Sequence, residues 1–428
     1  MMSFMKTNRR QFLATAALGG ASVTQLPAIA QGADRDQVEE NYAKLDAVLA
    51  QPLFKQELFK EPVIIKSIEL LRKDRSFLCR VRSKDGVEGV VESHNTMGVL
   101  YPIFVNRVQP VFIGQDARRL DELLDKALEY ALNFRLGGLG IGIPLATIEF
   151  AILDMMGRIA GKPVGELVGE IHNPHIPVYQ ATEWREKPVE ESVALIKGAV
   201  EKSKAEAVKI KVGALMFMTK DLDARGPAGR TEQIIPLIRE TFGPDMTLYS
   251  DANGYYKDID EAIRVGKLLQ EHNYAYFEEP VFFDWLDGTK AVTDALDIPV
   301  AGGEQQHSLY GFRWLLANEG LDVVQPDHFY FGGIIRSLKV AHMGAAMGKT
   351  CIPHISGGLG YLYMLHLVSA MPNRGAHIEF KGYERIPIEC ATSSLRLENG
   401  KIKVPTGPGL GIEIDPDFVK TYKRVENV

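Results

Sequence analysis

The sequence predicts a parallel α/β barrel of the TIM type behind a smaller α+β domain, and three observations carry that reading. After Ile176, eight short runs of strand-forming residues alternate with longer amphipathic segments. An ionisable residue closes most of these runs, and the chain before Gly169 instead places strands first and helices after. At 428 residues with 46% apolar content, the chain exceeds one ordinary domain and can bury a large core.

Each segment has its own signal. Residues 1–30 hold Arg9-Arg10 before a small, apolar run that ends Ala28-Ile29-Ala30, a small-x-small cleavage site. That pattern resembles a twin-arginine export signal, so the mature chain is expected to begin near Gln31 and to reside in the periplasm. Residues 31–61 are charged, with Val38, Tyr42, Leu45, Val48 and Leu49 at helical spacing, and are expected to form a surface helix and a connector. In residues 62–175, strands are expected at 63–70 and 77–82, a hairpin through Asp85-Gly86 to 89–92, and helices at 118–134 and 144–160. Barrel strands are expected at 177–180, 208–212, 247–251, 275–278, 299–302, 323–327, 350–354 and 377–380, within 176–385. Residues 386–428 form a C-terminal segment, and no apolar run after the signal is expected to span a bilayer.

Composition narrows the partners. Lys plus Arg total 49 against 55 Asp plus Glu, a formal charge of -6, which offers no basic footprint for nucleic acid and no polybasic membrane patch. A small-molecule carboxylate substrate fits better, and self-association into a homo-oligomer is expected. Cys79, Cys351 and Cys390 have no metal-type spacing and read as buried thiols.

The strand ends carry the chemistry. Lys211, Asp251, Glu278, Asp327, His354 and Glu379 close apolar runs, and Glu304 lies just past the fifth. In a TIM-type barrel those ends converge on one face. Asp251, Glu278 and Glu304 follow at steps of 27 and 26 residues and supply the hard oxygen ligands that Mg²⁺ prefers, with Mn²⁺ as a substitute. Lys209 and Lys211 alternate across one residue and so point to one face. Mutual repulsion, burial and a nearby cation would disfavour the ammonium form and leave one lysine able to act as a base. Asp327 is placed to hold one nitrogen of His354, favouring the charged imidazole as a proton donor.

Taken together, Lys209-Ile210-Lys211, Asp251-Ala252-Asn253, Glu278-Glu279-Pro280, Gly303-Glu304, Gln325-Pro326-Asp327, Gly332-Gly333, His354 and Glu379 resemble the motif set of the mandelate racemase branch of the enolase superfamily, in order. Residues 148–154 resemble the helix joining that family's capping domain to its barrel. The resemblance implies a modified (β/α)7β barrel, with the C-terminal segment returning to the capping domain. It also implies abstraction of the proton next to a carboxylate through an enediolate that Mg²⁺ stabilises. Asp251, Glu278 and Glu304 would bind Mg²⁺, while Glu279 is not the chosen ligand. Lys211 would be one base tuned by Lys209, the His354/Asp327 pair would serve the other face, and Glu379 would donate to an enediolate oxygen.

Specificity is expected from lid loops, with His94, Asn95 and Arg107 as candidates. At strand ends, Tyr179, Gln180, Thr182, Glu183, Asn253, His307, His328 and Tyr330 could read hydroxyls, which favours a polyol acid over an aromatic one. Residues 214–230, with Asp221, Asp223, Arg225 and Arg230, resemble an insertion at the site mouth. The expected reaction is dehydration of a sugar acid to a 2-keto-3-deoxy acid, with racemisation, epimerisation or cycloisomerisation as alternatives. A non-catalytic sugar-acid binder would not need Lys211, His354 and Glu379 together.

Overall fold

Parallel strands need a crossover to reach one another, and the amphipathic segments of this chain supply it. The computed structural model describes residues 35–130, 132–213, 227, 229–355, 357–382 and 386–426. The paired arginines, the cleavage site and Asp221, Asp223 and Arg225 lie outside them.

The first described element, α1 (Arg35–Leu49), lies on the barrel. Asn41 donates to the Ala317 carbonyl at 3.0 Å, Asp46 pairs with Arg313, and that guanidinium sits 4.1 Å from the Tyr42 ring centroid. Three antiparallel strands follow, β1 (Ile65–Lys73), β2 (Ser76–Ser83) and β3 (Glu88–Glu92). The chain end returns to them, pairing Arg424 with Leu71, while Lys401–Lys403 lies antiparallel to the first barrel strand.

The helix expected at 118–134 is shorter. It forms α2 (Leu120–Glu129), with single 3-10 turns at Ala117–Arg119 and Leu132–Phe134. Beyond it Tyr130 and Phe134 stay exposed, so the pattern that suggested continuation has no face to bury. Helical turns also form at Met97–Ile103, which contains Pro102, and at Gln109–Phe112, where Pro110 lies in the first turn, a position that tolerates proline.

The next helix, α3 (Leu139–Ala160), starts five residues before its expected onset, with Pro144 in its second turn. At 22 residues it is long and apolar enough to cross a membrane, contrary to the sequence expectation, yet 89% of its apolar window is buried inside the protein. Glu149 and Asp154 within it are fully buried.

Eight parallel strands then alternate with seven helices: β4 (His175–Ala181), α4 (Val189–Ser203), β5 (Ala207–Lys211), α5 (Arg230–Phe242), β6 (Thr247–Asp251), α6 (Ile259–Glu271), β7 (Tyr276–Glu278), α7 (Leu286–Ala295), β8 (Val300–Gly302), α8 (Leu309–Ala317), β9 (Val323–Val324), α9 (Ile334–Ala346), β10 (Thr350–Cys351), α10 (Gly360–Ser369) and β11 (Ile378–Phe380). This is the (β/α)7β order. The sheet runs β10-β9-β8-β7-β6-β5-β4-β11, and an isolated bridge joins Cys351 of β10 to Arg374, four residues before β11. Helix α4 buries one stripe, with Val189, Ser192, Ile196 and Val200, whereas α10 is buried at every position. Strand β5 is buried at all five positions, which explains its near-continuous apolar run broken only by two lysines.

Candidate active site

Parallel register sets the first three functional groups side by side, because Lys211 pairs with Asp251 and Asp251 with Glu278 across β5, β6 and β7. Glu304 stands two residues past β8, and an isolated bridge joins Asp327 to His354 beyond β9 and β10. Glu379 is in β11. Together with Lys209, all of these side chains are buried.

Lys209 Nζ donates to both oxygens of Glu278 at 2.9 and 2.8 Å, and lies 3.6 Å from Asp251 and 3.3 Å from Glu379 Oε1. Lys211 donates to Asp251 Oδ2 and to Asn253 Oδ1, the latter at 3.0 Å. On the other side of Glu379, its Oε2 is 3.6 Å from His354 Nε2 and accepts from the Ile355 N–H at 3.0 Å. His354 Nε2 is also 3.4 Å from Glu304, and its Nδ1 is 2.7 Å from Asp327 Oδ2. One carboxylate, Glu379, therefore stands between the lysine pair and the imidazole.

Without a bound cation, the electrostatics of the site runs against two sequence expectations. Burial works against the Lys209 ammonium, but Glu278 and Glu379 outweigh it and hold its pKa well above the ordinary lysine value. Lys211 is likewise raised, burial being overcome by Asp251. Neither lysine is neutral while it holds its acid. His354 moves the opposite way, since burial and then Lys381, Lys209 and Lys211 push it well below its ordinary value, so the imidazole is neutral rather than charged. Burial would also raise Glu379, but Lys209, Lys381 and Lys211 lower it overall, so the carboxyl is ionised with no substrate present.

The specificity candidates divide. His94 reaches from the smaller domain to the barrel mouth, its ring 5.6 Å from Phe329 and 5.7 Å from Tyr330, whose own ring is 6.1 Å from His354. Asn253 joins the site through Lys211. Tyr179 lies buried beneath Lys209, with Nζ 5.2 Å from its ring centroid. Thr182 is tied to the Lys209 carbonyl at 2.7 Å and Gln180 to the Ala181 carbonyl at 2.8 Å, so both brace backbone. His328 is fully buried against Phe150, Phe329 and Tyr363, and burial pushes its pKa down to about 3. His307 faces a cavity of about 420 Å³ lined by Leu49, Asp125, Arg135 and Arg336, away from the acids. Arg107 donates to the Tyr130 carbonyl, and Asn95 is exposed. Arg230 is buried and donates to the Lys211 carbonyl at 3.0 Å, so the end of the insertion supports β5.

Sequence reasoning missed Arg185 and Lys381, and named Gln325 only as part of a motif with no role. Arg185 donates to the carbonyls of Val212 and Asp251, at 3.0 and 2.8 Å, and locks two strand ends together. Gln325 donates to Glu278 at 3.1 Å. Lys381 Nζ donates to His354 Nε2 at 3.0 Å. The spacing rule that singled out Lys209 and Lys211 applies equally to Glu379 and Lys381, and would have found the last of these.

Among the described residues, no three His, Cys, Asp or Glu side chains converge as a ready metal cage, because the lysines stand on Asp251 and Glu278. The donor set nevertheless fits a hard divalent cation. Burial and then Asp251 raise Glu278 to about 7, burial raises Glu304 to about 7, and Glu279 Oε2 is buried without a hydrogen-bond partner beside them. Glu279 itself is raised well above the ordinary value by burial and then Glu304. Such a surplus of buried acid is what a cation would relieve.

Residues 53–169 match the family described as mandelate racemase / muconate lactonizing enzyme, N-terminal domain, and residues 191–418 match the enolase C-terminal domain-like family. The arabinonate dehydratase of Saccharolobus solfataricus is 27% identical over 80% of this chain and 89% of its own. The D-galactarolactone cycloisomerase of Agrobacterium fabrum is 31% identical over 73% of this chain and 82% of its own. A mandelate racemase/muconate lactonizing protein from Paracoccus denitrificans, solved with magnesium, superposes with a TM-score of 0.74 at 26% identity, covering 86% of this chain and all of that one.

Proposed function

Because this chain is an enzyme belonging to the mandelate racemase/muconate lactonizing enzyme family of the enolase superfamily, we propose that it dehydrates a sugar acid to a 2-keto-3-deoxy acid with Mg²⁺ bound. The observation that carries this is Glu379 standing between Lys209 and His354, 3.3 and 3.6 Å away, with basic groups on both of its sides. Asp251, Glu278 and Glu304 would hold the cation, which offsets the substrate carboxylate as its α-proton leaves and frees the lysines from the acids they now hold. Lys211 then accepts the α-proton on one side, with Lys209 beside it. Glu379, ionised in the empty site, would take up a proton when the anionic substrate binds and then donate a hydrogen bond to an enediolate oxygen, and loss of the β-hydroxyl follows on the His354 side. The dehydratase among its relatives supports this reaction, and His94 and Tyr330 at the mouth suit a hydroxylated substrate.

The second reading is cycloisomerisation or epimerisation. It is favoured by the neutral His354 and by the cycloisomerase relative, since a neutral imidazole suits proton exchange without water loss. Incubating the Mg²⁺-loaded enzyme with hexonates, pentonates, aldarates and their lactones in D₂O should give trappable 2-keto acid from at least one. Lys211→Ala should abolish α-proton exchange from one stereochemistry, and His354→Asn the complementary step. Ready exchange with inversion, and keto acid from none, would replace the dehydratase reading by the second. Export is proposed from Arg9-Arg10 and Ala28-Ile29-Ala30, and requires that Arg9→Lys with Arg10→Lys shift the protein from periplasm to cytoplasm.

A further inference from the structure

Lys381 follows Glu379 by two residues, and its ammonium is set differently from those of Lys209 and Lys211. Its Nζ donates to His354 Nε2 at 3.0 Å and to the Ile355 carbonyl at 2.8 Å, with Glu379 Oε1 3.7 Å away. The side chain is 31% exposed, against 1% for Lys209 and 7% for Lys211. It is therefore open to solvent at the mouth, whereas the other two are enclosed by the acids of β6, β7 and β11.

These contacts fix the imidazole. An ionised carboxylate only accepts and an ammonium only donates, so Asp327 requires a proton on Nδ1 and Lys381 requires the lone pair on Nε2. His354 in that tautomer has no Nε2 proton to give. Among the described residues His354 and Ile355 accept from two of the three N–H bonds of Lys381, and Glu379 Oε1, at 3.7 Å, lies beyond hydrogen-bond range, so the ammonium can still donate to a group that enters from the mouth beside the same Nε2.

Resting on the dehydratase reading, the geometry points to Lys381 as the acid that protonates the departing β-hydroxyl, with His354 holding its ammonium in place. The enediolate electron pair forms the bond between the α- and β-carbons as the β-carbon–oxygen bond breaks. The oxygen leaves as water with a proton from Nζ, and the enol left behind takes its keto form. The amine of Lys381 regains a proton from solvent, so nothing is oxidised or reduced overall.

The test compares two leaving groups on the Mg²⁺-loaded enzyme: the acid sugar that the wild type dehydrates, and the analogue with fluorine in place of the β-hydroxyl. Fluoride departs without a proton. Lys381→Met should slow hydroxyl loss by at least about 100-fold, the usual scale of general acid catalysis, while fluoride release and α-proton exchange stay within about five-fold of wild type. Lys381→Arg, which keeps the charge and the hydrogen bond to His354 but gives up a proton poorly, should resemble Lys381→Met. Equal loss for both leaving groups, or recovery of hydroxyl loss by arginine, would make Lys381 a positioning residue and overturn the assignment, as would full dehydration by Lys381→Met. A wild type that forms no keto acid from any sugar acid fails before any variant is compared, and removes the dehydratase reading and this assignment together. Retained α-proton exchange in the variants shows that they are folded.

Discussion

Among the described residues, one set of fully buried acids lies in α3 and another at the barrel mouth, and they differ in how far backbone N–H groups or side-chain cations hold them. Glu149 accepts from the N–H groups of Ile334 and Ile335 at the start of α9. Asp154 accepts from Val90 of β3 at 3.1 Å, from Leu410 at 2.9 Å and from Arg158 at 3.1 Å, tying the smaller domain and the C-terminal segment to one helix. At the mouth, Asp251 and Glu278 face lysine ammonium groups and each other. A backbone N–H cannot leave its place, but an ammonium on a four-carbon stem can yield to a metal ion. Burial of an acid thus does not mark a site; what sets the mouth apart is that lysine ammonium groups hold both oxygens of Glu278 and one of Asp251, whereas backbone N–H groups hold both oxygens of Glu149 and of Asp154.

The sharpest way to break this contrast is to remove one acid or base of the mouth. Glu278→Gln and Lys211→Ala should each lower turnover by about 10²–10⁴-fold while leaving the fold intact, judged by circular dichroism with Mg²⁺ present. Near-normal turnover in either would place the chemistry elsewhere. Asp154→Ala should do the reverse, costing about 3 kcal/mol of stability in urea unfolding, because it strands two backbone donors and a half-buried arginine. Its surviving folded fraction should turn over normally.

Metal should separate the two sets again. Mg²⁺ at about a hundred times its Kd should stabilise the wild type by about 2.7 kcal/mol, and Glu149→Gln should keep that increment although it starts less stable. An increment lost with Glu149 would join the two sets that are separated here.

The smallest effect is on pH. Glu278 and Glu304 keep their protons to about 7 in the metal-free fold, whereas an unfolded glutamate ionises near its ordinary, lower value. The folded form then binds more protons between those values, so the contribution of these two groups to metal-free stability is greatest at the acid end and declines as pH rises to about 7. Metal binding must expel the same protons, so Mg²⁺ affinity should weaken as pH falls below about 7. Calorimetric affinity that is flat from pH 6 to 8 would refute this.

The alternation of β-branched runs and amphipathic helices made the barrel legible, since a parallel strand buried on both faces tolerates few polar residues and the exceptions stand out. For that reason Lys209, Lys211, Asp251, Glu278, Asp327, His354 and Glu379 could be read as a set. His307, His328, Gln180 and Thr182 could not be sorted in the same way. Each lies near a strand end, yet only packing showed that His328 faces Phe150 and that Thr182 holds a carbonyl.

The sequence by itself determined the strand order, the strand ends and hence the inventory of charges, because covalent spacing and hydrophobic period are local properties. Tertiary structure alone decided the protonation of that inventory. In the metal-free fold Lys209 and Lys211 stay charged because attraction to acids brought from other strands, about 3 Å away, outweighs burial, whereas His354 is neutral because burial and repulsion from the lysines act in the same direction.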